Sequence, residues 1–210
     1  MYLKYLLIVT LFASVTLAVA CSGGENGHDA MSEETPTDEA ELVVESATTT
    51  FPLGGGTATE VHPGAAGSPH VKVDWVVNDA NISITYGRPY LKGRMIGDNV
   101  EPMSDQWWRL GADEATTLTT DTDIMLAGTH VPAGEYTLFT QQMGDEFHLI
   151  LNSETGQWGT SYNPEHDFAH IPMEVAELDP PAEQLTLSIE GGDLGFDWGQ
   201  MAASVNLVIH

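Results

Sequence analysis

From residue 68 onward, apolar and polar side chains alternate with a period of two. Val71, Val73, Trp75 and Val77 are interleaved with Lys72 and Asp74, and Ile82, Ile84 and Tyr86 with Ser83 and Thr85. The same rhythm returns at Phe147, Leu149 and Leu151, at Leu185, Leu187 and Ile189, and at Val205, Leu207 and Ile209. Alternation of this kind places every second side chain on one face of a strand and predicts strands half-buried against a core. Shorter strands are expected at residues 116–120, 124–126, 136–141 and 169–175. Turn signals separate them: Asn78-Asp79, Pro132-Ala133-Gly134, Met143-Gly144-Asp145 and Gly191-Gly192-Asp193. No segment sustains the apolar period of a helix. Residues 103–110 predict at most a turn or two of helix, with Ser104 as N-cap. The pattern predicts an all-β fold, an antiparallel β-sandwich or flattened barrel of roughly 8–10 strands over residues 68–210.

Residues 88–115 break the rhythm. Irregular segments longer than about 12–15 residues inside a domain are usually functional or disordered. This one carries Tyr90, Met95, Ile96, Met103, Trp107, Trp108 and Leu110, too much apolar surface to stay in solvent. It is expected to be one long packed loop that closes an end or a face of the sandwich.

Residues 1–20 read as an export signal. Lys4 supplies the charge, and the apolar stretch that follows is too short for a comfortable membrane span. The stretch ends L-A-V-A-C at Cys21, which resembles a bacterial lipobox. That resemblance implies cleavage before Cys21, its lipidation, and a lipid bilayer as partner. Ser22 rather than Asp after the cysteine points to the outer membrane, with the domain in the periplasm or at the cell surface. Cys21 is the only cysteine, so no intrachain disulfide can form. Residues 21–67 are rich in Gly, Ser, Thr and acids, with no Lys or Arg. Such a segment buries too little to offset its ordering entropy and predicts a disordered acidic tether.

Charge sharpens the picture of the loop. The formal net charge is -25, which argues against nucleic acid and anionic lipid surfaces as partners. A surface this acidic suits a high-salt medium, where screening relieves self-repulsion. Only six Lys and Arg are present, and four of them, Arg88, Lys92, Arg94 and Arg109, lie in the loop. Residues 110–210 hold seventeen Asp and Glu and no Lys or Arg.

The loop and its surroundings also carry a resemblance. T-Y-G-R-P-Y-L-K-G-R, W-R-L-G-A-D-E-A-T-T, V-P-A-G-E-Y-T-L-F and Trp158-Gly159 resemble the bacterial domain-of-unknown-function family 2911, from residue 68 to the end of the chain. The matching positions include Arg88, Lys92, Gly93, Arg94, Trp108, Arg109, Gly111 and Glu114. The resemblance implies an exported, often lipid-anchored protein of the bacterial cell envelope, and carries over no activity.

Guanidinium forks at Arg88, Arg94 and Arg109, with Lys92 and Glu114, suit a polar pocket for a carboxylate, phosphate or sulfate. Trp107 and Trp108 would supply an apolar or sugar-stacking wall. The alternative, favoured by the rule that buried charges are paired, is an internal ion-pair network with Arg109 bridging Glu114 or Asp113. Gly93 and Gly111 read as backbone necessities. His166 and His170, four apart with Asp167 between them, would share a face of one strand, but they stand outside the resembling motifs. No role is assigned to His28, His62, His130 or His148. No G-x-S-x-G elbow appears. A carboxylate pair of Glu114 with Asp113 or Asp105 keeps an envelope hydrolase open.

The chain reads as a lipid-anchored envelope protein whose domain is a non-catalytic binding module for a small anionic or sugar-like ligand. Its ligand-binding residues are Arg88, Lys92, Arg94, Trp108, Arg109 and Glu114, and its lipidation site is Cys21. No catalytic residue, metal or cofactor is assigned. A structural or scaffolding lipoprotein and a hydrolase remain the alternatives.

Overall fold

The computed structural model describes residues 49–210 apart from Asp105. The leader, Cys21 and the tether as far as residue 48 lie outside the described residues. Twelve strands follow one another: β1 (Thr50–Leu53), β2 (Gly56–His62), β3 (His70–Val77), β4 (Ala80–Gly87), β5 (Trp107–Trp108), β6 (Thr116–Thr120), β7 (Ile124–Leu126), β8 (Thr129–Val131), β9 (Gly134–Met143), β10 (Glu146–Asn152), β11 (Asp167–Glu190) and β12 (Asp193–Ile209). They form one antiparallel sheet in the order β1-β2-β3-β4-β6-β9-β10-β11-β12-β7-β8, with β5 paired to β9 off this path. The sheet is not closed into a barrel, and its doubling over makes a sandwich or flattened barrel.

The doubling depends on β11. Asp167–Met173 pairs with β10, and the strand from Glu174 to Glu190 pairs with β12. Register shifts between Glu177 and Ala182 and between Ala182 and Thr186 interrupt the second ladder, the kind of irregularity by which a strand leaves one layer for the other. The expected strands at 169–175 and 185–189 are thus two ends of one long strand.

The alternation read from the sequence is the alternation of burial. Val71, Val73 and Trp75 on β3 and Ile82, Ile84 and Tyr86 on β4 are buried, while Lys72 and Asp74 are exposed. Across from them lie Leu185, Leu187, Phe196 and Trp198 in the same apolar core. Hydrogen bonds tie the layers where the core would otherwise strand polar groups. The Leu187 N–H donates to the Tyr86 hydroxyl at 3.0 Å. The Gly54 carbonyl, in the β1–β2 turn, accepts from Trp75 Nε1 at 2.7 Å and from the Ile189 N–H at 3.1 Å.

Two expectations change. The sheet starts at Thr50, well before residue 68, so residues 50–62 are a hairpin and not part of a disordered tether. Ala58 is fully buried, and Phe51 and Leu53 pack on the core. Small Gly, Ala and Thr neighbours hide this short strand's alternation in the sequence, and the area it buries lies on the preformed β3 ladder. The helical turn expected over residues 103–110 is absent. Trp107 and Trp108 pair instead with Gln141 and Thr140 as β5, because the exposed edge of β9 supplies hydrogen bonds that an isolated helical turn does not. Asp105 lies outside the described residues.

Tyr86→Phe is expected to destabilise the domain by about 1–3 kcal/mol, because the buried Leu187 N–H loses its acceptor. Chemical denaturation of the two proteins measures this directly.

Candidate functional site

Residues 88–115 combine internal turns over Leu91–Arg94 and Met95–Val100 with hydrogen bonds to neighbouring sheet edges. The Leu91 N–H donates to the Glu183 carbonyl at 2.8 Å and the Leu185 N–H to the Pro89 carbonyl at 3.1 Å, so this stretch runs beside β11. Further along, β5 borrows β9. The end of the segment forms an antiparallel bridge between Glu114 and Trp158, with the Gly159 N–H donating to the Asp113 carbonyl at 3.0 Å. The backbone turns sharply here: Leu110 has φ 50° and Asp113 φ 61°. Such left-handed conformations are uncommon for side chains larger than glycine and cluster at functional sites. Thr116 steadies the turn by donating its hydroxyl to the Leu110 carbonyl at 2.9 Å.

Because β5 is a strand, its two tryptophans point to opposite faces. Trp108 enters the main core and meets Phe196 edge-on at 5.8 Å. Trp107 covers the outer face of β9, stacking edge-on against Phe139 and tilted against Tyr162. Burial and the hydrogen bond that Tyr162 donates to Asp167 Oδ2 at 2.6 Å push the Tyr162 phenol well above its ordinary range.

A cavity of about 320 Å³ opens beside Trp108, with Lys92, Arg94, Arg109, Tyr90 and Trp198 among its walls. Arg109, Trp108 and Glu101 also border a second cavity of about 400 Å³ that reaches Trp107. The structure therefore brings four of the six residues singled out in the sequence, Lys92, Arg94, Trp108 and Arg109, to one hollow.

The cations differ in what holds them. The Arg88 guanidinium donates to the Leu185 carbonyl at 3.1 Å and to the Thr186 hydroxyl at 3.2 Å, which pins the loop's entry to β11. Arg94 donates to the Leu91 and Tyr90 carbonyls at 2.9 and 2.6 Å. Lys92 is held at its backbone, where the N–H donates to Glu183 Oε1 at 2.9 Å. Arg109 has no carboxylate partner among the described residues, and its Nε is buried with no hydrogen-bond partner. Gly159 lies directly over it: a Cβ there would sit 2.2 Å from Arg109 Cδ.

Glu114 does not pair with Arg109. Its carboxylate faces two histidines, with Oε2 2.6 Å from His70 Nε2 and Oε1 3.5 Å from His62 Nε2. His62 and His70 are cross-strand partners on β2 and β3, and their rings stack at 4.2 Å. Asp113, the other expected partner, accepts instead from the Ala65 N–H at 2.8 Å. This cluster was not visible in the sequence, because His62 fell in a segment with no predicted strand and its pairing with His70 exists only through β2. His166 and His170 do not share a strand: His166 closes a 3-10 turn at Pro164–His166, and His170, on β11, pairs with Asp167 at 2.9 Å.

A family model described as "Protein of unknown function (DUF2911)" matches residues 68–207. The chain belongs to the DUF2911 family. No curated protein and no solved structure matches it. The DUF2911 match takes in His70, the whole irregular segment with its four cations, Glu114, and the Trp158-Gly159 stretch that bridges to it. It leaves out β1 and β2, and with them His62.

If Arg109 were half of a buried ion pair, its loss would cost about 3–5 kcal/mol; among the described residues it supports no such pair. Arg109→Met is expected to leave stability within about 1 kcal/mol of the parent. A loss of unfolding free energy several times larger, measured by chemical denaturation, would restore the ion-pair account.

Proposed function

We propose that this DUF2911 domain is a non-catalytic binding module of the bacterial envelope, tethered to a membrane through acylated Cys21. Its ligand is a small anionic or sugar-like molecule that enters the cavity beside Trp108. The observation that carries the reading is Arg109, a half-buried cation with an unsatisfied Nε on the cavity wall in a chain of net charge -25. In so acidic a chain, a guanidinium without a carboxylate partner among the described residues is placed for an anion from outside the chain. Tyr90, the exposed aromatic residue among the lining residues, offers an apolar face of the kind that a carbohydrate ring or a compact organic anion would need. A purely scaffolding role would leave every loop cation satisfied internally; Arg88 fits that description and Arg109 does not.

A larger cavity of about 560 Å³ lies on the other side of the loop, lined by Leu91, Ile96, Val175, Pro181 and Met201. It is mostly apolar, and Arg94, its one cation, already donates to two carbonyls. Its other polar lining residues, Glu177 and Gln200, bring no positive charge for an anion.

The test is a thermal-shift screen with inorganic phosphate, sulfate, dicarboxylates and uronic acids, followed by tryptophan fluorescence titration. A ligand at about 100 times its Kd should raise stability by about 2.7 kcal/mol. The shift should vanish in Arg109→Met and persist in Lys72→Ala, since Lys72 pairs with Asp74 away from the cavity at 2.5 Å. An equal shift in the Arg109 variant would sink the reading.

The anchor has its own test. Cys21 lies outside the described residues, and no helix among them is long and apolar enough to cross a membrane. Cys21→Ser is expected to move the protein from the membrane fraction to the soluble pool without changing its thermal unfolding. A variant that stays with the membrane would refute the acyl anchor.

A further inference from the structure

We propose that His62, His70 and Glu114 form a binding site for a divalent transition-metal ion of the zinc type. This site is separate from the Arg109 cavity and does not rest on the ligand proposed for it. Three elements converge here: β2 brings His62, β3 brings His70, and the end of the long loop brings Glu114. One ligand atom from each lies within 4.8 Å of the other two.

The polar atoms at the centre are not satisfied by one another. His70 is only 2 % exposed, and both its ring nitrogens are buried with no hydrogen-bond partner. Glu114 Oε2 is in the same condition, although it lies 2.6 Å from His70 Nε2. The two atoms are close but not aligned as donor and acceptor. A buried imidazole with neither nitrogen engaged is costly, and a cation bound by both His70 Nε2 and the carboxylate would satisfy both, the two atoms parting from 2.6 Å to admit metal–ligand distances of about 2.0–2.2 Å. The ring stands hard against the backbone of β4: a Cβ on Gly87 would sit 2.7 Å from His70 Cε1 and 2.8 Å from Nε2, so only glycine lets the ring stand there.

The donor set selects the metal class. Two imidazole nitrogens and one carboxylate suit zinc and its neighbours, whereas calcium and magnesium take oxygen ligands. Three protein ligands leave a coordination position for water or another small molecule. The strongly negative chain also favours accumulation of cations around it.

The ligands are not equal. His62 Nδ1 accepts the Gly64 N–H at 3.1 Å, so in the neutral ring Nε2 carries the proton. His62 joins the metal only by giving up that bond. His70 and Glu114 give up nothing comparable, and they should dominate the affinity.

The experiment titrates zinc into the full-length chain after chelator treatment, followed by calorimetry and by metal analysis. One equivalent should bind saturably. Glu114→Gln and His70→Ala should each weaken binding by at least about 10–100-fold, the loss seen even for outer-shell partners of a metal. His62→Ala should weaken it less, and His170→Ala not at all. Cobalt(II), added in place of zinc, should develop visible absorption in the parent and lose it in Glu114→Gln. Glu114 is half-exposed, so the Gln variant keeps the test decisive if His70→Ala does not fold. The absence of a saturable site, or equal zinc affinity in the parent and Glu114→Gln, would overturn the proposal and leave the three residues as a proton-sharing cluster only.

Discussion

A segment of 28 residues between β4 and β6 must bury Leu91, Val100, Trp108 and Leu110 without helix or hairpin of its own to satisfy its peptide groups. Buried backbone donors and acceptors demand partners, and this constraint governs much of the domain. The segment meets it by borrowing from three places in turn: β11 beside residues 183–185, the edge of β9 beside Trp107 and Trp108, and the strand-like stretch around Trp158. Each loan fixes the position of charged side chains. Arg88 and Arg94 stand at the first, Arg109 follows the second, and Glu114 sits at the third. The hollow beside Trp108 is what remains between these fixed points.

Scarcity of positive charge gives the arrangement its meaning. In a chain with five described Lys and Arg, Lys72 pairs with Asp74, Arg88 crosses between layers, and Arg94 folds back on its own loop. Those roles are structural and ordinary. Arg109 differs because its stem lies close against Gly159 while its Nε is buried with no hydrogen-bond partner. On the proposed binding reading, a stem so confined would lower the entropic cost of capturing a ligand.

Much of the fold was legible because strands with one face on a core write their geometry into every second residue. The strands at 116–120 and 124–126 fall where the sequence places them, and Asn78 and Asp79 form the left-handed two-residue turn that their side chains tolerate. What escaped has a common cause. β1 is four residues long with a proline inside it, and β2 is built largely on Gly, Ala and Thr, whose alternation carries little hydrophobic contrast. β5 is two residues long and exists only because β9 offers an edge. The continuity of β11 through Asp179, Pro180 and Pro181 runs against the rule that proline ends a strand, and it is tolerated where the ladder to β12 is already interrupted.

The site was legible in part and for an equally physical reason. Counting cations located the loop, since charge is conspicuous in a chain that has almost none. Counting could not assign partners, because Arg109 and Glu114 are five apart in sequence but the left-handed turns at Leu110 and Asp113 face them differently. Glu114 is carried across to β3 by the bridge to Trp158, and His62 reaches the same point only because β2 lies in register against β3. The carboxylate therefore joins the end of the irregular segment to the first hairpin of the sheet. It stands where a change in the protonation or ligation of two histidines bears directly on how that segment is held, while the cavity beside Trp108 is walled by the same segment a few residues earlier.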